Sequence, residues 1–500
     1  MNPTAPHPVT GTACARGLTL ATVSTAIAAA ALLTLLGGCA SPGPQAGAAL
    51  SQPAAAERFG ATGTATPWPT ERWWQAFGDA RLDTLVGQAL AGQPSLKLAA
   101  ARLQQAQAAV AASDAARSPQ ANLSVDLTDQ RFTAKGLVPA PVAGHIYWSN
   151  SATLGASWDL DLFGRQRATL DAAIGQARSA EAEAQAARVL LAGNITAAWV
   201  QLARQVQARD LAQQTLAQRQ QLQQLVRQRL AAGLDTQVEL RQADGTMAQA
   251  RLEVAQAEEA IQRSRHALAE LAGLPLQALA ELSPTLADAP AAALPTTLPA
   301  DLLGRRADLV AQRWRVEAAL KDVDVARTQF YPNVSLTGFV GLSSLGLDNL
   351  LKSGAQTYGV GPALRLPVFD GGRLRANLGA KRAEVEAAVA GYDAALQRAL
   401  REVADELASQ QALATQAQAQ AEATAAAEAG LALARQREQA GLATRLSVVN
   451  AELGLLAQRR ASLELQARTL ASRVALARAL GGGWQAAPDG LPAPLTTAQR

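Results

Sequence analysis

The side chains best suited to chemistry are few and far apart. The only thiols are Cys14 and Cys39, both near the N-terminus, so no disulfide framework can staple the body of the fold. The imidazoles are His7, His145 and His266, and none has a second ligand at the spacing of a metal site. No Ser/His/Asp arrangement suggests nucleophilic catalysis. Glu258-Glu259 and Glu384/Glu386 could serve as paired carboxylates, but they lie on polar faces of helical sequence, where solvated charge is the simpler reading. Gly359-Val-Gly361-Pro lacks the third Gly and the strand–turn–helix setting of a dinucleotide loop. The expectation is therefore no enzyme and no metal. A formal net charge of +4, with no Lys/Arg block interleaved with aromatics, gives no footprint for nucleic acid.

One thiol does have a chemical setting. An apolar run, Gly17–Leu36, follows Arg16 and ends in LLTLLGGCA. About 20 apolar residues can span a bilayer. This run is rich in Ala and Thr, however, and a small-residue cleavage site follows it, as in a secretory signal. Leu36-Gly37-Gly38-Cys39 resembles the bacterial lipobox, in which the Cys is diacylated and becomes the new N-terminus. That resemblance implies a lipoprotein signal peptide over residues 1–38 and a covalent lipid on Cys39, with no other cofactor. Ala40, rather than Asp, follows the Cys, which by the same resemblance points to the outer membrane of a Gram-negative bacterium. Residues 39–67 are rich in Ala, Gly, Pro and Ser and read as a flexible tether.

Beyond the tether the chain repeats one plan twice. The first repeat covers residues 68–280 and the second 301–482, with a linker at 281–300 and a tail at 483–500. Trp68, Trp73 and Trp74 are expected to fix the N-terminal segment to the body. Each repeat opens with a helix carrying a seven-residue seam: Leu96, Leu103 and Val110, then Leu309, Val316, Val323 and Phe330. Both helices stop shortly before a proline, Pro119 and Pro332.

Two strands follow in each repeat, over about 122–130, 149–161, 333–341 and 356–367. In Asn122–Thr128, Leu123, Val125 and Leu127 alternate with Ser124, Asp126 and Thr128. In Ser151–Asp161, Leu154, Trp158 and Leu160 oppose Thr153, Ser157 and Asp159. The third strand is a weaker match because Phe339 falls on its polar face, and Pro362 sits awkwardly inside the fourth. One apolar and one polar face mark a sheet between two media. Such a sheet could cover a soluble core or form transmembrane β-strands. Membrane barrels start at about eight strands, and open edges are not allowed in lipid. Four strands per chain therefore require several chains to share a barrel.

Long helices come next. Arg165 to Ala232 and Arg373 to Ala440 contain no proline, and some 68 residues at about 1.5 Å each make a rod of roughly 100 Å. Each rod ends in a Gly and a return helix. The return helices carry Leu240, Met247, Val254, Ile261 and Leu268, and Leu442, Val449, Leu456, Leu463 and Leu470. The bends, Arg227–Thr236 (RQRLAAGLDT) and Arg435–Thr444 (RQREQAGLAT), agree at seven of ten positions. These are antiparallel coiled-coil hairpins with Gly233 and Gly441 at the turns.

This combination resembles the outer membrane factor family of TolC-like channels, and within it the lipidated OprM/NodT-type branch that serves RND efflux. The most specific stretches are Trp158-Asp-Leu-Asp-Leu-Phe-Gly-Arg165, Arg305-Arg-Ala-Asp-Leu-Val310, Tyr331-Pro-Asn-Val-Ser-Leu-Thr-Gly338 and Pro367-Val-Phe-Asp-Gly-Gly-Arg-Leu374. The family more often has Arg-Pro-Asp where this chain has Arg306-Ala307-Asp308. The resemblance implies a mainly α fold with a membrane β-barrel portion. Each chain of a homotrimer gives four strands to a shared 12-stranded barrel, continued by a long α-helical coiled-coil barrel. It implies a passive exit duct joined by a periplasmic adaptor to an inner-membrane RND transporter. Carried over by position, Arg229, Gly233, Leu234 and Thr236, with Arg437, Gly441, Leu442 and Thr444, form the adaptor-docking tips. Some relatives carry a ring of Asp after the second tip. Here Ser447-Val-Val-Asn450 has no acid, and Asp235 and Glu239 after the first tip are the candidate acidic residues.

Two other readings fit parts of the chain. The same architecture serves type I protein secretion. A non-channel periplasmic lipoprotein using its coiled coils as an adaptor or scaffold is expected to carry one hairpin plus small barrel domains, and two strand pairs interrupting two sets of hairpins argue against it.

Overall fold

The computed structural model describes residues 41–42, 50–55, 68–286 and 304–486. The expected signal peptide, Cys39, most of the tether, residues 287–300 of the linker and residues 487–500 of the tail lie outside the described residues. The chain divides into two units. One includes Ala109–Ile174 and Ala318–Ala387; the other includes Gln52–Ala108, Gly175–Glu317 and Ala388–Arg500.

The first unit holds the sheet. Its strands are β1 (Gln120–Arg131), β2 (Ile146–Asp159), β3 (Asn333–Leu345) and β4 (Gln356–Arg365). They pair antiparallel in sequence order. The register stacks Leu123, Leu154, Val340 and Tyr358 in one row across the sheet. The neighbouring row on the other face is Ser124, Thr153, Gly341 and Thr357. The expected alternation is thus real, and the apolar face has no cover: Tyr358 and Val360 are each 81% exposed. Pro362 lies in β4 opposite Leu336, and β4 pairs within the chain with β3 alone. Phe339, out of pattern in the sequence, lies across Gly359 of the facing strand. A Cβ at Gly359 would come within 2.8 Å of its ring, so the glycine makes room for the aromatic.

Strand and long helix meet through carboxylate caps. Asp161 accepts from the backbone N–H groups of Gln166 at 2.8 Å and Arg167 at 3.0 Å. Asp370 accepts from Gly372 at 3.0 Å and Leu374 at 2.7 Å. These bonds satisfy amides that a helix start leaves unpaired, and they place negative charge at the positive end of the dipole. The backbone amides of Leu374 and Gly372 hold the Asp370 carboxyl below its ordinary range. Phe163 stacks on Tyr331 at 5.1 Å beside the first junction.

Seven α-helices make up most of the described chain: α1 (Ala80–Gly92), α2 (Pro94–Ala115), α3 (Arg165–Ala231), α4 (Gln237–Ala272), α5 (Ala307–Thr328), α6 (Arg373–Gln439) and α7 (Arg445–Ala479). The rods α3 and α6 have 67 residues each and begin 208 residues apart, so they match position for position. In the second unit Trp73, Trp74 and Phe77 join Leu82, Leu85 and Val86 of α1, Ile195, Trp199 and Leu202 of α3, Ile261 and Leu268 of α4 and Leu470 of α7 in one core. Each such aliphatic or aromatic side chain contributes roughly 1.5–3 kcal/mol when fully buried. Trp68 instead lies under the Arg305 guanidinium at 5.1 Å. The seam Leu309, Val316, Val323 and Phe330 is buried, whereas Leu96, Leu103 and Val110 are only half-buried.

The tether departs from expectation at its centre. The backbone N–H of Ser51 donates to Glu386 at 3.0 Å, and that of Ala54 donates to Asp393 at 2.9 Å. Both acceptors lie on α6, seven residues apart on one side of the helix. Ala54 is 8% exposed. Small residues allow this close approach, and the bonds to the main chain leave no mark in the side-chain pattern.

Candidate functional site at the two hairpin tips

Each rod ends in the same backbone device. At the first tip Gly233 has φ 73°, the Gly233 N–H donates to the Leu230 carbonyl at 3.0 Å, and the Leu234 N–H donates to the Arg229 carbonyl at 2.8 Å. At the second, Gly441 has φ 70°, its N–H donates to Glu438 at 2.9 Å, and Leu442 donates to Arg437 at 2.8 Å. This is the Schellman closure of a helix, which needs a left-handed residue and so selects Gly. Nothing lies within 4 Å of a Cβ built on either glycine, so backbone conformation, not crowding, fixes the residue.

The turn pushes an apolar side chain outward. Leu234 is 65% exposed and Leu442 is 70% exposed. Leu442 therefore does not begin the α7 seam, as its spacing of seven from Val449 suggested. Val449, Leu456, Leu463 and Leu470 are buried, whereas Leu442 is drawn into the turn by its bond to the Arg437 carbonyl. Val238 is a third exposed apolar residue, one turn beyond Leu234, that sequence reasoning did not single out.

The side chains differ between tips. At the first, Arg229 grips Asp235 with two bonds, Nε to Oδ2 at 2.9 Å and Nη2 to Oδ1 at 3.0 Å. Thr236 caps α4: its hydroxyl accepts from the Val238 N–H at 3.1 Å. Glu239 accepts from the Thr236 backbone N–H at 2.9 Å and from the Thr236 hydroxyl. This is a capping box, and its Thr-x-x-Glu spacing was legible in the sequence. The hydroxyl bond from Thr236 is the main reason the Glu239 carboxyl is held below its ordinary value. Both candidate acidic residues, Asp235 and Glu239, are thus engaged within their own turn.

At the second tip Ala443 stands where Asp235 would be and Ser447 where Glu239 would be. Thr444 holds the cap position of α7, but its side chain accepts no capping bond. Its hydroxyl lies 3.4 Å from that of Ser447. Arg437 is exposed and has no ion pair among the described residues. One brace is common to both hairpins: Arg435 meets Glu452 at 2.8 Å, and the equivalent Arg227 and Asp244 lie 3.6 Å apart. Among the described residues no group of three or more His, Cys, Asp or Glu is arranged to hold a metal. The arrangement offers shape, exposed leucine and a local charge pattern, which suit contact between proteins.

Comparison with known proteins accounts for the whole pattern. The outer membrane efflux protein family model matches residues 85–274 and 298–482. The multidrug resistance outer membrane protein MdtQ of Escherichia coli O157:H7 is 32% identical over 471 residues, covering 92% of this chain and 98% of its own. The fusaric acid resistance protein FusA of Burkholderia cepacia is 36% identical over 369 residues, covering 72% of this chain and 69% of its own. Among solved structures, the outer membrane protein VceC of Vibrio cholerae superposes with a TM-score of 0.76 at 37% identity, covering 83% of this chain and 100% of that one. The fold is that of a TolC-like channel, and the chain belongs to the outer membrane efflux protein family.

Proposed function

We propose that three copies of this chain close one twelve-stranded barrel in the outer membrane and extend it into the periplasm through twelve long helices, as the exit duct of an RND-type efflux pump. The observation that carries this reading is the sheet: four antiparallel strands with an uncovered apolar face and two open edges, β1 and β4. Lipid accepts the apolar face but not the unpaired backbone of the edges, so β4 of one copy must meet β1 of the next. The half-buried seam of Leu96, Leu103 and Val110 is free to meet a neighbouring copy in the same assembly.

The polar face of the sheet, with Asp126, Ser151 and Ser343 in one row, then lines an open lumen that conducts passively. The names of the relatives, multidrug resistance and fusaric acid resistance, point to toxic small molecules as cargo. Energy comes from an inner-membrane transporter, and a periplasmic adaptor reaches the channel at the Gly233 and Gly441 tips. Cys39 carries the lipid that adds a second hold on the membrane.

Three measurements test the reading. The mass of the detergent-purified complex should be three times that of the mature chain. A mass of two chains would mean eight strands and overturn the twelve-stranded barrel. In planar bilayers the complex should conduct, and a trimer that forms no pore even when its tips are released would favour a scaffold. A fatty-acid probe should label the protein in cells and fail to label Cys39→Ala.

A further inference from the structure

The duplication supplies an internal control for what each tip offers to a partner. Residues 227–244 hold three cations, Arg227, Arg229 and Arg241, against three anions, Asp235, Glu239 and Asp244. The equivalent residues 435–452 hold three cations, Arg435, Arg437 and Arg445, against two anions, Glu438 and Glu452. At the first tip Arg229 is held in both of its bonds by Asp235, with the carboxylate tucked into the turn. At the second, Arg435 is tied to Glu452 at 2.8 Å and Arg445 lies 3.6 Å from Glu438, which leaves Arg437 as the cation without an ion pair among the described residues. It stands one helical turn before Gly441, beside the exposed Leu442.

We propose that the two tips dock chemically different sites: the second tip takes a carboxylate of the periplasmic adaptor onto Arg437, next to an apolar contact at Leu442, whereas the first tip docks through apolar contact and backbone alone. This rests on the reading of the tips as the adaptor-docking end. An arginine that keeps a planar pair of donors free can receive a carboxylate through two bonds. The same residue at the first tip is already filled from within. Three such arginines per trimer would give the ring of six tips an alternating charge pattern, and so fix which adaptor contact meets which hairpin. Charged pairs of this kind set register and partner choice as well as affinity.

The test uses the full-length trimer in nanodiscs and the purified adaptor of its pump. Arg437→Glu should weaken binding by about tenfold or more, in line with close interfacial charge pairs. Ala443→Asp should weaken it as well without removing the arginine, because it supplies the internal partner that Asp235 gives Arg229. Asp235→Ala should not weaken binding. Raising the salt concentration should bring the wild type toward Arg437→Glu, and reversing one adaptor carboxylate to Arg should restore the Arg437→Glu complex. The proposal is overturned if Arg437→Glu and Ala443→Asp bind like the wild type while Gly441→Trp abolishes binding; docking at the tips then stands without the ion pair. If Gly233→Trp and Gly441→Trp both bind normally, the docking end itself is wrong and the proposal falls with it. If Arg437→Glu breaks the trimer, the carboxylate belongs to a neighbouring copy, which also overturns it.

Discussion

Arg229 and Arg437 occupy the same place in two turns that share the backbone bonds of the closure, yet one is locked into its turn and the other projects into solvent. The closure around Gly233 matches that around Gly441 in φ and in hydrogen-bond pattern. What surrounds it does not match: the first tip has a capping box and a two-bond pair on Arg229, whereas the second has no capping box and a looser pair, Arg445 to Glu438 at 3.6 Å, that leaves Arg437 out. Duplication has kept the part that ends a long helix and turns the chain back. The part that only decorates the turn has diverged. Backbone geometry is thus the shared requirement of the two tips, and side-chain chemistry is where they can serve different ends.

The comparison can be pressed at three levels. The largest effect is expected from Gly233→Val and Gly441→Val, each of which forces a β-branched residue into the left-handed region, at a cost of about 1–3 kcal/mol locally. Hydrogen exchange of the tip amides should rise about equally in the two variants. A tip that tolerates Val would show that the backbone closures are not equivalent. Next, Thr236→Ala should cost about 1 kcal/mol of α4 stability through loss of the cap, whereas Thr444→Ala should cost no more than a few tenths. Equal losses in the two variants would erase the difference between the caps. The smallest effect concerns pH. Because Glu239 is held below its ordinary value of 4.5, its contribution is fully present above about that pH and is lost as pH falls through the lower value of the folded protein. The protection factors of the Leu234 and Thr236 amides, corrected for the intrinsic pH dependence of exchange, should therefore fall on acidification below pH 4.5, and those of Leu442 and Thr444 should change less. A parallel response at both tips would remove the capping box as its cause.

Much of this was legible in the residues. The rods end at Ala231 and Gln439, one residue from where the sequence placed them, because a long Ala- and Gln-rich stretch has no other break than the Gly. The strands were found to within a few residues through alternation, as in Ser151–Asp161. The misplacements have physical causes. Spacing of seven enrolled Leu442 in the seam, but periodicity is blind to the turn bond that removes it. Phe339 broke the polar face because the space it needs is provided by Gly359, on a strand paired with its own, and only the register reveals that. The caps at Asp161 and Asp370 sit at different distances from their helix starts, so no common spacing announces them. At the tips, the positions were readable, and the Thr-x-x-Glu spacing carries the engagement of Glu239, but the grip of Arg229 on Asp235 was not readable, since charge in a sequence says nothing of where its partner stands.

The hold on Ser51 sets a leash length. From Cys39 to Ser51 there are twelve residue steps, which reach at most about 43 Å when fully drawn. A lipid on Cys39 would thus search a small volume anchored to its own α6, and its concentration at the adjacent bilayer surface would be set by that volume. Removing the acceptors at Glu386 and Asp393 would let out more line and dilute the anchor at the place where it must insert.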